Sequence, residues 1–274
     1  MKIDKNILLI IGIVVIIGIV AVMAFNTGGQ QSEKIDIVGS TSVQPVAEKL
    51  VEVYTQSNPD ANINVQGGGS SVGIKSAQDG SADIGTSSKD LKDDEKGDLK
   101  VYELGRDGIV IAVHKDNKVS DLSTDQLRQI FAGEVTNWNQ VGGADGKINL
   151  ITREEGSGTL DAFNSIVMGK DTEIKGDAVV QSSTEAVKQS VSQDPNAIGF
   201  VSFAHMSDDV KAVSVNGITP SVETLADGTY ELQRPFLFLV KGEPTGEVKK
   251  FLDWVFSEEG SKVLQEEKIV KSNK

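Results

Sequence analysis

Four short clusters of glycine and hydroxyl residues carry the chemistry of this chain: Gly39-Ser40-Thr41-Ser42, Gly67-Gly68-Gly69-Ser70-Ser71, Gly85-Thr86-Ser87-Ser88 and Gly156-Ser157-Gly158-Thr159. Each follows a short apolar run: Ile35-Asp36-Ile37-Val38, Ile63-Asn64-Val65, Ala82-Asp83-Ile84 and Ile148-Asn149-Leu150-Ile151. Three of the four lead into helical periodicity. A strand, a glycine-hydroxyl turn and a helix in succession aim free backbone N–H groups and hydroxyls at one point, and such a point suits an anion. Arg153, three residues ahead of Gly156, adds a planar donor fork for an oxyanion. Its neighbours Glu154 and Glu155 could make it an ordinary surface ion pair, but its place between a strand end and the fourth cluster favours a site.

Two other chemistries fit parts of the pattern. Gly69-Ser70-Ser71-Val72-Gly73 matches G-x-S-x-G, with an acid and His205 later in the chain, so a serine hydrolase using Ser71 and His205 is the alternative from another class. Any glycine-serine turn meets that pattern easily. Gly68 and Gly73 resemble the start of a phosphate-binding loop, but Ile74 separates Gly73 from Lys75-Ser76, which moves lysine and hydroxyl off their phosphate positions and excludes nucleotide hydrolysis. Asp93-Asp94-Glu95 and Glu258-Glu259 read as solvated charge, Trp138 and Trp254 as core, and His114 as structural.

The elements that position the clusters follow from periodicity. After residue 33, strand-like and helix-like runs alternate, which predicts an α/β fold with mostly parallel sheets. Val43, Val46, Ala47, Leu50 and Tyr54 repeat at helical spacing, Ser123 and Gln126 form a capping box before Leu127, Ile130 and Phe131, and Thr184 to Val191 is a further helix. Two long apolar strands, near 107–113 and 235–240, bracket a middle block. The simplest topology leaves one lobe, builds a second and returns: residues 34–112 and 234–274 in lobe 1, 113–233 in lobe 2. The cleft between them, at strand carboxyl ends, is where all four clusters fall.

Composition narrows the function. The chain has 274 residues, 38% hydrophobic and 24% charged, which is globular rather than disordered. It lacks cysteine, so no disulfide, thiolate metal site or cysteine nucleophile is available, and two histidines leave little scope for a metal centre. Neither a metal nor a cofactor is expected. A net charge of −13 argues against nucleic acid as a partner but not against a small buried anion. Ile7 to Phe25 is an unbroken apolar run behind Lys2 and Lys5. Its length favours a retained membrane anchor over a cleaved signal, with a polar tether to Glu33 and the rest of the chain outside the cell.

Taken in order, the clusters resemble the phosphate-binding components of Pst-type ABC importers, a branch of the type II periplasmic-binding-protein fold. The resemblance runs from Lys34 to Val270, and Arg153-Glu154-Glu155-Gly156-Ser157-Gly158-Thr159 matches its most specific motif, R-x-x-G-S-G-T. It implies that phosphate is held by Thr41, Ser42, Ser70, Ser88, Arg153, Ser157, Gly158 and Thr159, and that the lobes close over it. It also implies delivery to permease subunits of an ABC transporter by a monomeric binding protein with no catalytic residues. Other tetrahedral oxyanions (sulfate, molybdate or tungstate) and a sensing role are the alternatives within the class. Best-known members carry an aspartate where this chain has Ser88; it accepts the phosphate proton and so rejects sulfate. Glu155 stands where the family has an acid paired with the arginine, and it is expected to supply an acceptor or to fix the guanidinium.

Overall fold

The computed structural model of the protein describes residues 34–271; the apolar N-terminal run and its tether, and with them the expected anchor, lie outside the described residues. The described residues form ten strands: β1 (Lys34–Gly39), β2 (Asn62–Gly67), β3 (Ile84–Ser87), β4 (Leu99–His114), β5 (Asp121–Leu122), β6 (Asn149–Arg153), β7 (Val179–Gln181), β8 (Ala197–Ser202), β9 (Val210–Val215) and β10 (Gln233–Lys241). Their order is β2-β1-β3-β10-β4-β8-β6-β7, with β9 pairing β4 and β5.

Residues alternate between the two faces of a strand, and both long strands are apolar on both, so each sheet is covered on both sides. On β10, Phe236, Phe238 and Val240 pack under the helices Gln44–Ser57, Gly246–Val255 and Glu258–Glu266, while Leu237 and Leu239 meet Ile74 and Ala77 of the helix Ser70–Asp79. On β4, Ile109, Ile111 and Val113 join the core built by Phe131, Phe163 and Phe200, and Val110 and Ala112 join Val187 and Val191 of the helix Thr184–Gln193. The rings of Phe163 and Phe200 stack with centroids 4.2 Å apart.

The sheets are mixed rather than mostly parallel. β1 pairs with β2 and β3, and β6 with β7 and β8, in parallel, whereas β10 runs antiparallel to β3 and β4, and β4 antiparallel to β8 and β9. The reason is topological: a strand that leaves one sheet and a strand that returns to it run in opposite directions, and here they lie side by side. β4 pairs with β10 as far as Gly108 and with β8 from Ile109, so it passes between sheets four residues before the expected division at 112. Gln233 opposite Gly108 begins the return. A buried ion pair marks the passage: Arg234 Nη2 donates to Asp107 Oδ2 at 3.1 Å, and Asp107 Oδ1 accepts from Ser202 Oγ at 2.8 Å.

The capping box at Ser123 forms as expected, with Gln126 N–H donating to Ser123 Oγ at 3.1 Å and Ser123 N–H to Gln126 Oε1 at 2.9 Å. Trp138 is buried and donates to the Asn196 carbonyl at 3.0 Å. The parallel strands β1, β2 and β3 all end at one edge of their sheet, and β6 and β7 at one edge of theirs. Those ends hold the clusters.

Candidate functional site

Each cluster occupies the carboxyl end of a strand. Gly39 and Gly67 end β1 and β2 in register, Ser87 ends β3, and Arg153 ends β6 opposite Gln181 of β7. The helix Ser70–Asp79 begins within the second cluster, and the helix Gly158–Phe163, which runs on as a π-turn over Asn164–Met168, begins within the fourth. Gly73 explains the G-x-S-x-G pattern without a nucleophile. A Cβ there would overlap the Thr86 carbonyl oxygen and lie 2.9 Å from Gly39 Cα, so glycine lets this helix lean onto β1 and β3. Ser71 is exposed and makes no hydrogen bond to His205. Instead its N–H donates to the Gly156 carbonyl at 3.1 Å, from the second cluster to the fourth.

Two hydroxyl chains meet in this region. In the first, Ser42 Oγ lies 2.9 Å from Thr159 Oγ1 and 2.8 Å from Thr184 Oγ1, and Thr184 Oγ1 accepts from Arg153 Nη1 at 3.2 Å. In the second, Ser40 Oγ accepts from the Ser42 and Val43 N–H groups at 3.2 and 3.4 Å, so its own hydrogen goes to Ser88 Oγ at 2.8 Å. Ser88 N–H in turn donates to Ser70 Oγ at 3.0 Å. Ser42, Ser70, Ser88, Ser157 and Thr159 are buried, Thr41 is half-buried, and the backbone of Gly158 is packed so tightly that a Cβ there would overlap Ser70 Oγ. Ser157 caps its helix by accepting from Leu160 N–H at 3.3 Å.

The Arg153 side chain is only 1% exposed. Its Nε donates to the Gln181 carbonyl at 3.1 Å, and Nη2 donates to Glu154 Oε1 at 2.7 Å and Thr41 Oγ1 at 3.2 Å. Nη1 has a single partner, Thr184, so its second hydrogen is uncommitted among the described residues. A guanidinium fixed on several sides and open on one is a preorganised anion donor.

The acid beside this arginine is Glu154 and not Glu155. Glu154 N–H still pairs with the Gln181 carbonyl at 3.3 Å, which holds this residue at the strand end, whereas Glu155 lies in the following turn, exposed and without a polar partner among the described residues. Three further residues escape a reading built on glycine clusters. Thr184, fully buried, sits in the hydroxyl run Ser182-Ser183-Thr184 between β7 and a helix; that is the same strand-turn-helix signal without a glycine. Ser40, within the first cluster, ties that cluster to the third through Ser88 Oγ. Lys89 Nζ, one residue past Ser88, donates to Asp161 Oδ2 at 2.7 Å and Glu95 Oε1 at 2.9 Å. Burial disfavours its charge, yet the two carboxylates more than offset this and raise its pKa.

His205 belongs to the wall of the site. Its Nε2 lies 3.3 Å from the Ser42 carbonyl, and Nδ1 lies 3.8 Å from Glu185. Burial is the dominant influence and pushes the imidazole down to about 4, against the opposing pull of the Ser42 carbonyl and Glu185. A histidine neutral in the fold and ordinary when unfolded contributes stability that is complete above its unfolded value of 6.5 and is lost as the pH falls through about 4. In His205→Asn, melting temperature measured against pH should therefore drop less steeply across that window than in the wild type. Equal slopes would remove His205 from the acid response.

A profile of the PBP superfamily domain matches residues 26–259. The phosphate-binding protein PstS of Bacillus subtilis is 34% identical over 237 residues, which cover 85% of this chain and 78% of that protein. The phosphate-binding protein PstS of Borreliella burgdorferi is 27% identical over 258 residues, 89% of this chain and 92% of that one. A Clostridium perfringens structure with bound phosphate, described as a phosphate ABC transporter substrate-binding protein, superposes with a TM-score of 0.85 at 40% identity, covering 88% of this chain and 100% of that one. An ABC-type phosphate transport receptor from Vibrio cholerae gives 0.72 at 36% identity over 87% of this chain and 100% of that one.

Proposed function

The chain belongs to the phosphate-binding PstS branch of the PBP superfamily, and from that membership we propose that it captures inorganic phosphate between its two lobes and delivers it to an ABC importer. One observation carries the reading to particular residues: the Arg153 guanidinium, buried and held on several sides, keeps one N–H uncommitted among the described residues, in the region where hydroxyls from five strand ends converge. Thr41, Ser42, Ser70, Ser88, Arg153 and the Ser157-Gly158-Thr159 segment bind the anion, and Thr184 joins them by orienting Arg153 and Ser42. Stripping the hydration from an oxyanion is costly unless its lone pairs are met, and charge-assisted bonds of about 1.5–3 kcal/mol each meet them here.

Thr41, Ser42, Ser70, Ser88 and Lys89 come from lobe 1, and Arg153, Thr159, Asp161 and Thr184 from lobe 2. Contacts between the two groups therefore exist only when the lobes are closed, and phosphate binding and closure are one equilibrium. The Lys89–Asp161 pair favours the closed state without touching the ligand. Its loss in Lys89→Met should weaken phosphate binding by roughly three- to tenfold, the order of about 1 kcal/mol expected of a partly buried ion pair. Unchanged affinity in the folded variant would mean that the pair does not contribute to closure. Residues before Lys34 tether the protein outside the cell, where a single binding protein serves the permease.

The reading is tested by equilibrium dialysis of the full chain against radiolabelled phosphate, with sulfate, molybdate and tungstate as competitors. Retention of label that only phosphate displaces is expected. Displacement by one of the other anions at lower concentration would assign the site to that anion, and an active-site serine probe that labels Ser71 would revive the hydrolase.

A further inference from the structure

We propose that Glu154 is the specificity-determining residue of this site, accepting a hydrogen bond from the P–OH group of phosphate and thereby excluding tetrahedral dianions that carry no proton; the inference rests on the phosphate reading above. A pocket lined only by donors holds sulfate as well as phosphate, because both present oxygens of the same geometry and charge. Discrimination needs a buried acceptor that a fully deprotonated anion leaves facing its own negative charge.

The hydroxyls do not supply it. Ser40 is committed by its two incoming N–H groups to donate to Ser88 Oγ, and Ser70 Oγ accepts from Ser88 N–H and lies 3.4 Å from Ser88 Oγ, so each of these hydroxyls already has partners within the network. Ser42 Oγ is engaged with both Thr159 and Thr184. Nor do the other nearby carboxylates. Asp161 is held by Lys89, Glu185 by Lys188 at 2.9 Å, Asp107 by Arg234 and Ser202, and Glu155 is exposed.

Glu154 differs from all of them. Its Oε1 accepts from Arg153 Nη2, the same nitrogen that reaches Thr41 Oγ1, which places the carboxylate at the edge of the guanidinium facing the first cluster. The Glu154 side chain is 33% exposed as a whole, but its Oε2 is shut off from solvent and has no hydrogen-bond partner among the described residues. A carboxylate oxygen kept dry and unsatisfied next to an anion-binding guanidinium is satisfied by an anion that brings a hydrogen and penalises one that does not. Glu154 and Arg153 thus present one acceptor and one donor to the same ligand.

The test is calorimetric titration of the full chain at mildly alkaline pH with phosphate, sulfate and monofluorophosphate, in the wild type and in Glu154→Gln and Glu155→Gln. Monofluorophosphate matches hydrogen phosphate in shape and charge but has no proton to offer. The wild type should bind phosphate at least about tenfold more tightly than either of the other two anions. Glu154→Gln, which replaces an acceptor oxygen with an amide, should narrow that gap by at least about tenfold, and Glu155→Gln should leave it intact. A Glu154→Gln protein that binds every anion more weakly by one common factor would reduce Glu154 to a support for Arg153 and overturn the inference. Equal wild-type binding of phosphate and monofluorophosphate would overturn it without any variant, while leaving phosphate capture in place. Binding of none of the three would overturn the phosphate reading itself.

Discussion

Arg153→Ala weakens phosphate binding by at least about tenfold in a protein that still folds, the loss expected when even one charge-assisted bond disappears. The structure suggests that the true loss exceeds this minimum. Arg153 also donates to Thr184 and Thr41, so its removal frees two hydroxyls that help to shape the site and leaves Glu154 as an uncompensated negative charge beside the incoming anion. Arg153→Lys separates charge from geometry. A lysine keeps the positive charge but cannot satisfy Gln181, Thr184, Thr41 and Glu154 together, because it lacks the planar fork. It should recover part of the affinity and not all of it. Titration of both variants, with circular dichroism to verify the fold, decides the matter. Wild-type affinity in folded Arg153→Ala would remove Arg153 from the site.

The second large effect comes from a single methyl group. Gly158→Ala places a Cβ that overlaps Ser70 Oγ and lies 2.7 Å from Ser88 Oγ and 3.0 Å from Ser70 Cβ. On the proposed division into two lobes those atoms lie across the cleft from Gly158, so the clash is expected only in the closed state. Either the lobes stop short of closure or Ser70 and Ser88 rotate away and abandon their network; each outcome disarms donors on both sides of the ligand. Binding should fall by at least about tenfold, while the ligand-free melting temperature stays close to that of the wild type, since the open protein has no such contact. A variant that binds normally would show that the clusters do not approach one another on the ligand. A variant that simply melts early would place the clash inside a lobe.

Much of this was legible in the residues. Strand and helix periods locate the longer apolar elements, because apolar residues at two-residue and three-to-four-residue spacing leave few options; the strands Val179–Gln181 and Val210–Val215 and the helix Glu258–Glu266 are not among those the sequence reading finds. The two long apolar strands foretell two passages between sheets. Their antiparallel pairing did not follow from periodicity, since a strand buried on both faces looks the same whichever way its neighbour runs. The glycine-hydroxyl clusters with Arg153 point to the site because glycine marks the tight approach of helix to strand, as Gly73 and Gly158 illustrate. Thr184 escaped because its turn needs no such approach and carries no glycine. The choice between Glu154 and Glu155 escaped for another reason. One residue separates a side chain held at a strand end from one turned to solvent, and only the pairing of Glu154 N–H with Gln181 reveals where the strand stops. The Lys89–Asp161 contact joins residues distant in sequence and could not be seen before the chain was folded.

The central claim, that this cleft is a phosphate receptor closed around one anion, is tested most directly by calorimetric titration of the phosphate-stripped full chain with inorganic phosphate. The account requires saturable binding of one phosphate per chain that disappears or weakens sharply in Arg153→Ala. No heat at any phosphate concentration, or binding that Arg153→Ala leaves untouched, would contradict it.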